Sequence, residues 1–266
     1  MKLQNSLVYL KLFSLSTALC FYSLLPISTY SFGCRIALWI IGVHKAPNIK
    51  ENILPYDDRN YRLLVFNHPT IWDHLVLTRH LSTKERRMRF ITFTQMMVWP
   101  IKTIFTKFGC VMTTYSGGTT KLIQDIVNNP KEGVIVIAPE GGITEPIPTK
   151  LATFKTGAFV PMAPILPVVI RYYPYEYHMK EETVPQFFMR RLKSQDIYYT
   201  IKTLPVISPT KQDTIETYRD RVKSSMETAL QEMPDNIPIP ENSHNYYNYI
   251  VPVVIVSIIS FLVMYW

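Results

Sequence analysis

One histidine and one aspartate lie five residues apart in the segment Asn67-His68-Pro69-Thr70-Ile71-Trp72-Asp73. An apolar run ends just before this segment, and Pro69 suits the start of a helix because it lacks an N–H that would have no partner there. His68 is therefore expected at a strand-to-helix corner. A turn can bring the Asp73 carboxylate back to the imidazole, which fixes its tautomer and stabilises its protonated form. Such a pair would act as a general base that removes a proton from an alcohol.

Two later segments carry polar residues close to predicted strands. In Ala138-Pro139-Glu140-Gly141-Gly142, the acidic residue follows the β-branched run VIVIA. Glu140 is therefore expected at the carboxyl end of a strand, where α/β sheets bind their ligands. The glycines permit close approach of a backbone. Lys155 lies among small residues in the segment TFKTGAF, and its ammonium group could bind a phosphate.

The order of these motifs resembles that of a known family. NHxxxxD, PEG, FKxGAF and a P-x-x-P-V-x-I strand follow one another as in the glycerophospholipid acyltransferases, which include 1-acylglycerol-3-phosphate and glycerol-3-phosphate acyltransferases. The stretch TFKTGAFVPMAPILPVVIRY, residues 153–172, is most similar to the lysophosphatidylcholine acyltransferase branch. The resemblance covers about Tyr61–Tyr172.

The resemblance implies an activity and roles for several residues. Acyl-CoA would be the co-substrate, with no other cofactor and no metal. His68 would be the catalytic base, Asp73 would orient it, and Glu140 and Gly141 would help to bind the acceptor. We add Lys155 as a candidate substrate-binding residue. The expected reaction is acylation of a lysophospholipid resembling lysophosphatidylcholine, in phospholipid synthesis or remodelling. The alternatives are a 1-acylglycerol-3-phosphate or glycerol-3-phosphate acyltransferase, and a catalytically weak membrane scaffold with the same fold.

Two positions depart from the family pattern. The second motif usually ends in an arginine that contacts the acceptor phosphate, and Tyr115 stands there instead. The third motif is often EGTR, whereas this chain reads Glu140-Gly141-Gly142-Ile143. Four basic residues are candidate replacements for the missing cation: Lys102, Lys107, Lys155 and Arg171.

The elements that must position these residues follow from apolar patterning. Short β-branched runs bounded by turn residues predict strands at residues 61–66, 89–93, 134–138 and 165–172. Helical spacing predicts helices at residues 74–87, 119–128 and 214–233, the last with one apolar face. This alternation indicates an α/β fold. The resemblance implies, more narrowly, a glycerolipid acyltransferase-type domain with a mixed sheet flanked by helices. We assign that domain to residues 46–207, and an amphipathic helix and linker to residues 208–248.

The two ends of the chain are apolar. Residues 12–34 carry no charge and are long enough to cross a hydrocarbon core of about 30 Å, so residues 1–45 are predicted to form a single span or a hairpin. Residues 249–266 form a second uncharged run flanked by tyrosines and tryptophan, which predicts a C-terminal transmembrane segment.

Composition narrows the list of partners. The net charge of +8 suits nucleic acid, an anionic membrane surface or phosphate-bearing substrates, and 47% of the residues are hydrophobic. No nucleic-acid-binding motif accompanies the charge, so the expected partners are acyl-CoA, a lysophospholipid acceptor and membrane lipids, with no nucleic acid. The expected location is a membrane of the endoplasmic reticulum with the catalytic domain facing the cytosol. Three cysteines without CxxC spacing indicate neither a disulfide framework nor a zinc site.

Overall fold

The computed structural model describes residues 15, 30–47, 61–81, 88–93, 101–107, 110–113, 118–129, 133–143, 149–174, 183–193 and 196–238. These residues form a mixed β-sheet with helices on both faces, which is the architecture that the resemblance implied.

Seven strands in the described residues form one sheet in the order β1-β7-β6-β2-β5-β3-β4. The strand bounds are β1 Val43–Lys45, β2 Leu63–Phe66, β3 Met88–Phe93, β4 Val111–Thr113, β5 Val134–Ile137, β6 Ile165–Tyr173 and β7 Ile197–Thr203. β6, β2, β5, β3 and β4 run parallel to one another, whereas β7 is antiparallel to β6 and parallel to β1. The carboxyl ends of five strands therefore lie along one edge of the sheet.

The four predicted strands are present with bounds close to those expected. Every residue of β2 and of β6 is buried, because helices cover both faces of a largely parallel sheet. β1, β4 and β7 were not predicted from the sequence. β1 and β4 have only three residues each, which is too short to show a period. β7 has the sequence IYYTIKT, whose first three residues do not alternate.

Helices flank the sheet on both sides. Their bounds are α1 Tyr30–Ile40, α2 Asp73–Leu81, α3 Ile101–Lys107, α4 Thr119–Asn128, α5 Val184–Lys193 and α6 Ile215–Gln231. α4 has the predicted bounds. α2 ends at Leu81 within the described residues, since residues 82–87 lie outside them. α6 begins after Thr214, which forms a capping box with Thr217, and the expected apolar face is buried.

Alternation along the strands divides the core into two layers. On one face, Leu64, Phe66, Ile170 and Tyr172 pack with residues of α1, α2 and α5. On the other face, Leu63, Val65 and Val169 pack with residues of α4 and α6. Successive side chains of a strand point to opposite faces, so neighbouring residues of β6 have different environments.

Arg171 shows the consequence of this alternation. Its guanidinium group donates to the carbonyl oxygens of Leu230 and Met233, at 3.3 and 2.9 Å, and to Oδ1 of Asp235 at 2.6 Å. The side chain is buried against the end of α6, on the face of the sheet opposite to Tyr172. The suggestion that Arg171 replaces the missing phosphate-binding arginine is therefore wrong.

The folded unit extends further towards the N-terminus than the predicted boundary at residue 46. β1 pairs with β7, and α1 packs along α2, with Ser31 Oγ donating to the Arg79 carbonyl oxygen at 3.1 Å. Residues 30–45, assigned above to the N-terminal membrane segment, thus contribute to the sheet and its helical layer. No helix within the described residues is long and apolar enough to span a membrane. Most of the N-terminal segment and all of residues 249–266 lie outside the described residues.

Candidate active site

The segment that joins β2 to α2 is fixed to the neighbouring strand by Asn67. Its side-chain amide donates to the Ile170 carbonyl oxygen and its side-chain oxygen accepts the Ile170 N–H, both at 2.8 Å. This two-bond contact continues the pairing of β2 with β6 beyond the last paired residue, Phe66. The start of the segment that leads to His68 is therefore fixed against β6.

His68 and Asp73 are brought together as predicted. Nδ1 of His68 lies 2.9 Å from Oδ2 of Asp73. The helix begins at Asp73 and not at Pro69, because residues 69–72 form a turn. Within that turn the Thr70 N–H donates to Oδ2 of Asp73 at 3.1 Å. The turn thus returns the carboxylate to the imidazole, which a continuous helix would not do at this spacing.

Asp73 is a fully buried carboxylate with a third hydrogen-bond donor. The Tyr172 hydroxyl donates to Oδ1 of Asp73 at 2.6 Å, while Oδ2 accepts from His68 and from the Thr70 N–H. Burial raises the pKa of Asp73, and these three donors counteract the effect because they favour the ionised form. The geometry therefore supplies a buried anion with a donor on each oxygen.

The tautomer of His68 follows from this arrangement. An ionised carboxylate only accepts hydrogen bonds, so Nδ1 of His68 carries the proton and Nε2 keeps a basic lone pair. The side chain of His68 is 12% exposed, against 0% for Asp73. The pair can accept a proton at Nε2 and stabilise the resulting imidazolium, which is the requirement for general-base catalysis.

Two aromatic rings pack against the His68 imidazole. The rings of Phe66 and His74 lie edge-on to it, with centroid distances of 5.4 and 5.2 Å. His74 also packs against Phe90 and Phe105. Burial lowers the pKa of His74 to about 3, and the neighbouring His68 adds to this effect. His74 is therefore neutral at physiological pH and does not compete with His68 for a proton.

Glu140 joins this site from the neighbouring strand. It lies beyond the carboxyl end of β5, which runs parallel to β2, so both strands end at the same edge of the sheet. Oε1 of Glu140 accepts the His68 N–H at 3.2 Å, and Oε2 accepts the Ala152 N–H at 3.3 Å. The carboxylate therefore connects the His68 segment to the loop that leads to Lys155.

Gly141 and Lys155 are also neighbours. Gly141 has a φ of +83°, and a Cβ atom at this position would overlap the ammonium group of Lys155. The backbone N–H of Lys155 donates to the Pro139 carbonyl oxygen at 2.8 Å. This contact fixes the Lys155 backbone, whereas its side chain is exposed. All five predicted site residues, His68, Asp73, Glu140, Gly141 and Lys155, thus belong to one connected group.

Comparison with known families agrees with this geometry. The family model described as Acyltransferase matches residues 41–171, which contain the whole group. The match identifies residues 41–171 as an acyltransferase domain. The crystal structure of the 1-acyl-sn-glycerophosphate acyltransferase PlsC from Thermotoga maritima matches with a TM-score of 0.54 and 16% identity, over 86% of this chain and 95% of that chain. At that identity the likeness shows a shared fold. No curated protein matches the chain.

Two of the other candidate cations of the acyltransferase domain lie on helix α3. Lys102 is exposed on α3, and Lys107 is partly buried at the end of that helix. Tyr115 lies outside the described residues. Of the four candidate replacements for the missing arginine, Lys155 is the one that the structure connects to Glu140 and Gly141.

Three residues that shape the site were not predicted from the sequence. Tyr172 was predicted only as part of a strand, position 74 only as the start of a helix, and Asn67 had no predicted role. A signal existed for Asn67, because a buried amide at the end of a strand needs partners. Nothing in the sequence pairs Tyr172 with Asp73, since that contact depends on the register of β6 against β2.

Proposed function

We propose that this acyltransferase transfers an acyl chain from acyl-CoA to the hydroxyl group of a lysophospholipid resembling lysophosphatidylcholine. The observation that carries the proposal is the buried Asp73 carboxylate on Nδ1 of His68, which leaves Nε2 as a base. The resemblance to the lysophosphatidylcholine branch, given by the segment TFKTGAFVPMAPILPVVIRY, supports the acceptor class.

The proposed reaction is a direct transfer. Nε2 of His68 takes the proton of the acceptor hydroxyl while that oxygen attacks the thioester carbonyl carbon. The tetrahedral intermediate collapses, the carbon–sulfur bond breaks and CoA leaves as a thiolate. The imidazolium then returns its proton to the thiolate, so no proton is gained or lost. The sequence has no G-x-S-x-G motif, and this route needs no acyl-enzyme.

Glu140, Gly141 and Lys155 are proposed to form the acceptor side of the site. Glu140 acts through the backbone, because both its oxygens accept N–H groups that fix the His68 segment and the 152–155 loop. Lys155 provides the cation for the phosphate group of the acceptor. A 1-acylglycerol-3-phosphate or glycerol-3-phosphate acceptor is the second candidate, favoured by the same Lys155 ammonium group and by the fold shared with PlsC.

We further propose that the protein is bound to a membrane of the endoplasmic reticulum with its catalytic domain in the cytosol. The uncharged runs 12–34 and 249–266 support membrane attachment, and acyl-CoA is a charged donor that does not cross bilayers. Protease added to sealed microsomes should therefore digest the catalytic domain without detergent. Full protection of the His68 region would contradict this topology.

The reaction is tested with the purified full-length chain, acyl-CoA and a panel of acceptors comprising several lysophospholipids, 1-acylglycerol-3-phosphate and glycerol-3-phosphate. Release of the CoA thiol and formation of the acylated product should both occur with lysophosphatidylcholine. His68→Ala should lower the rate by roughly 10²–10⁴, because the base is lost.

The matched control is His44→Ala. His44 also pairs with an aspartate, Asp196, at 3.3 Å, but it lies on the edge strand β1. This variant should keep nearly normal turnover. A His68→Ala enzyme within a few-fold of wild type would contradict the mechanism. A folded wild-type protein that acylates no acceptor would favour the scaffold alternative.

The acceptor side is tested with two glycine variants. Gly141→Ala should raise the KM for the acceptor more than the KM for acyl-CoA, because its Cβ would displace the Lys155 ammonium group. Gly118→Ala is the control, since Gly118 also has a positive φ, +86°, but its Cβ would meet nothing within 4 Å. Equal effects of the two variants, or a selective effect on acyl-CoA, would contradict the assignment of Lys155 to the acceptor.

A further inference from the structure

Within the described residues, the Tyr172 side chain binds Oδ1 of Asp73, the carboxylate oxygen that does not contact His68. Its hydroxyl donates to Oδ1 at 2.6 Å, while Oδ2 contacts Nδ1 of His68. We propose that Tyr172 is a positioning residue of the acyl-transfer reaction, which acts on His68 through Asp73. This inference rests on the proposed function and adds a third member to the pair of residues that carries it.

The position of Tyr172 is set by two features of the sheet. β6 is parallel to β2, and it continues beyond the end of β2 towards the edge where the site lies. Asn67 holds β6 at Ile170 with two hydrogen bonds, which fixes the register just before Tyr172. Ile170 and Tyr172 share one face of the strand, so the tyrosine points towards α2 and meets its first residue, Asp73.

A second tyrosine makes a comparable contact at the other end of α2. Tyr199 is opposite Tyr172 in the antiparallel pairing of β6 with β7, and the two rings lie 6.2 Å apart. The Tyr199 hydroxyl lies 2.8 Å from Nε2 of His80, in the last turn of α2. Both tyrosines therefore fasten the same helix to the same sheet, but only Tyr172 contacts the anion that faces the base.

The chemical effect of Tyr172 differs from that of a purely structural contact. A hydrogen bond to a charged acceptor fixes the carboxylate in one rotation, which keeps Nε2 of His68 aimed at the substrate. It also lowers the pKa of Asp73, because it stabilises the ionised form. Without this hydroxyl, the carboxylate would hold the shared proton of the His68–Asp73 pair more tightly. The active, proton-accepting form would then require a higher pH.

Other titratable groups near the His68–Asp73 pair do not reverse this expected shift to higher pH. His74 is neutral at physiological pH because its pKa is about 3. Glu140 accepts the His68 backbone N–H, a contact that does not involve the Tyr172 hydroxyl. Removal of the Tyr172 hydroxyl should therefore raise the pH at which the His68–Asp73 pair becomes able to accept a proton.

The kinetic experiment compares Tyr172→Phe with Tyr199→Phe in the full-length enzyme. Each substitution removes one hydroxyl that fastens α2 and keeps the aromatic ring. Tyr172→Phe should lower kcat by roughly tenfold to a hundredfold, the range for loss of a hydrogen bond to a charged group, with little change in either KM. The acidic limb of its pH–rate profile should move to higher pH. Tyr199→Phe should leave kcat and the pH profile near those of wild type.

A double-substitution cycle tests whether Tyr172 acts through Asp73. In the Asp73→Asn background, Tyr172→Phe should have much less effect on kcat than in the wild-type background, because the anion it serves is gone. Independent, additive effects of the two substitutions would overturn the proposal.

A readout without substrate separates this inference from the proposed function. Diethyl pyrocarbonate modifies neutral imidazole, and peptide mass spectrometry measures its reaction with His68 as a function of pH. The midpoint should lie at higher pH in Tyr172→Phe than in wild type or Tyr199→Phe. This shift is expected even if no acceptor is acylated, in which case only the proposed function fails. An unchanged midpoint together with unchanged kcat would overturn the role of Tyr172.

Discussion

The buried charge of Asp73 is the constraint on which the rest of the site depends. A carboxylate with no exposure to water is unfavourable unless donors surround it, and here the donors come from three parts of the chain. The Thr70 N–H belongs to the turn, His68 to the corner after β2, and Tyr172 to β6. Each donor that stabilises the anion also fixes its orientation. The same contacts that make the charge tolerable therefore make His68 a base with one defined tautomer.

The parallel strands explain why these residues meet. β2, β5 and β6 are neighbours that run in the same direction, so the residues following them share one edge of the sheet. His68 follows β2, Glu140 follows β5, and Tyr172 lies near the end of β6. Glu140 then connects the His68 backbone to the loop that carries Lys155. The acyltransferase domain thus places its proposed base and its proposed acceptor-binding residues side by side, as expected at the carboxyl ends of parallel strands.

Local patterns predicted the parts of this site that depend on local structure. The turn between His68 and Asp73 is contained in seven residues, and Glu140 directly follows a β-branched run, so both were recognisable in the sequence. Contacts set by strand register were not. Tyr172 reaches Asp73, and Arg171 points away to α6, because the register and alternation of β6 give adjacent residues opposite faces. The short strands β1 and β4 were missed because three residues carry no recognisable period.

We propose that the Asp73 anion makes His68 a base, and turnover of Asp73→Asn tests this role most directly. The variant has nearly the same volume as wild type but lacks the charge. Acyl transfer from acyl-CoA by the purified, folded variant should fall by roughly 10²–10⁴. Asp196→Asn, the same change in the His44 pair on β1, should leave the rate nearly unchanged. An Asp73→Asn enzyme that acylates its acceptor within a few-fold of the wild-type rate would contradict this account.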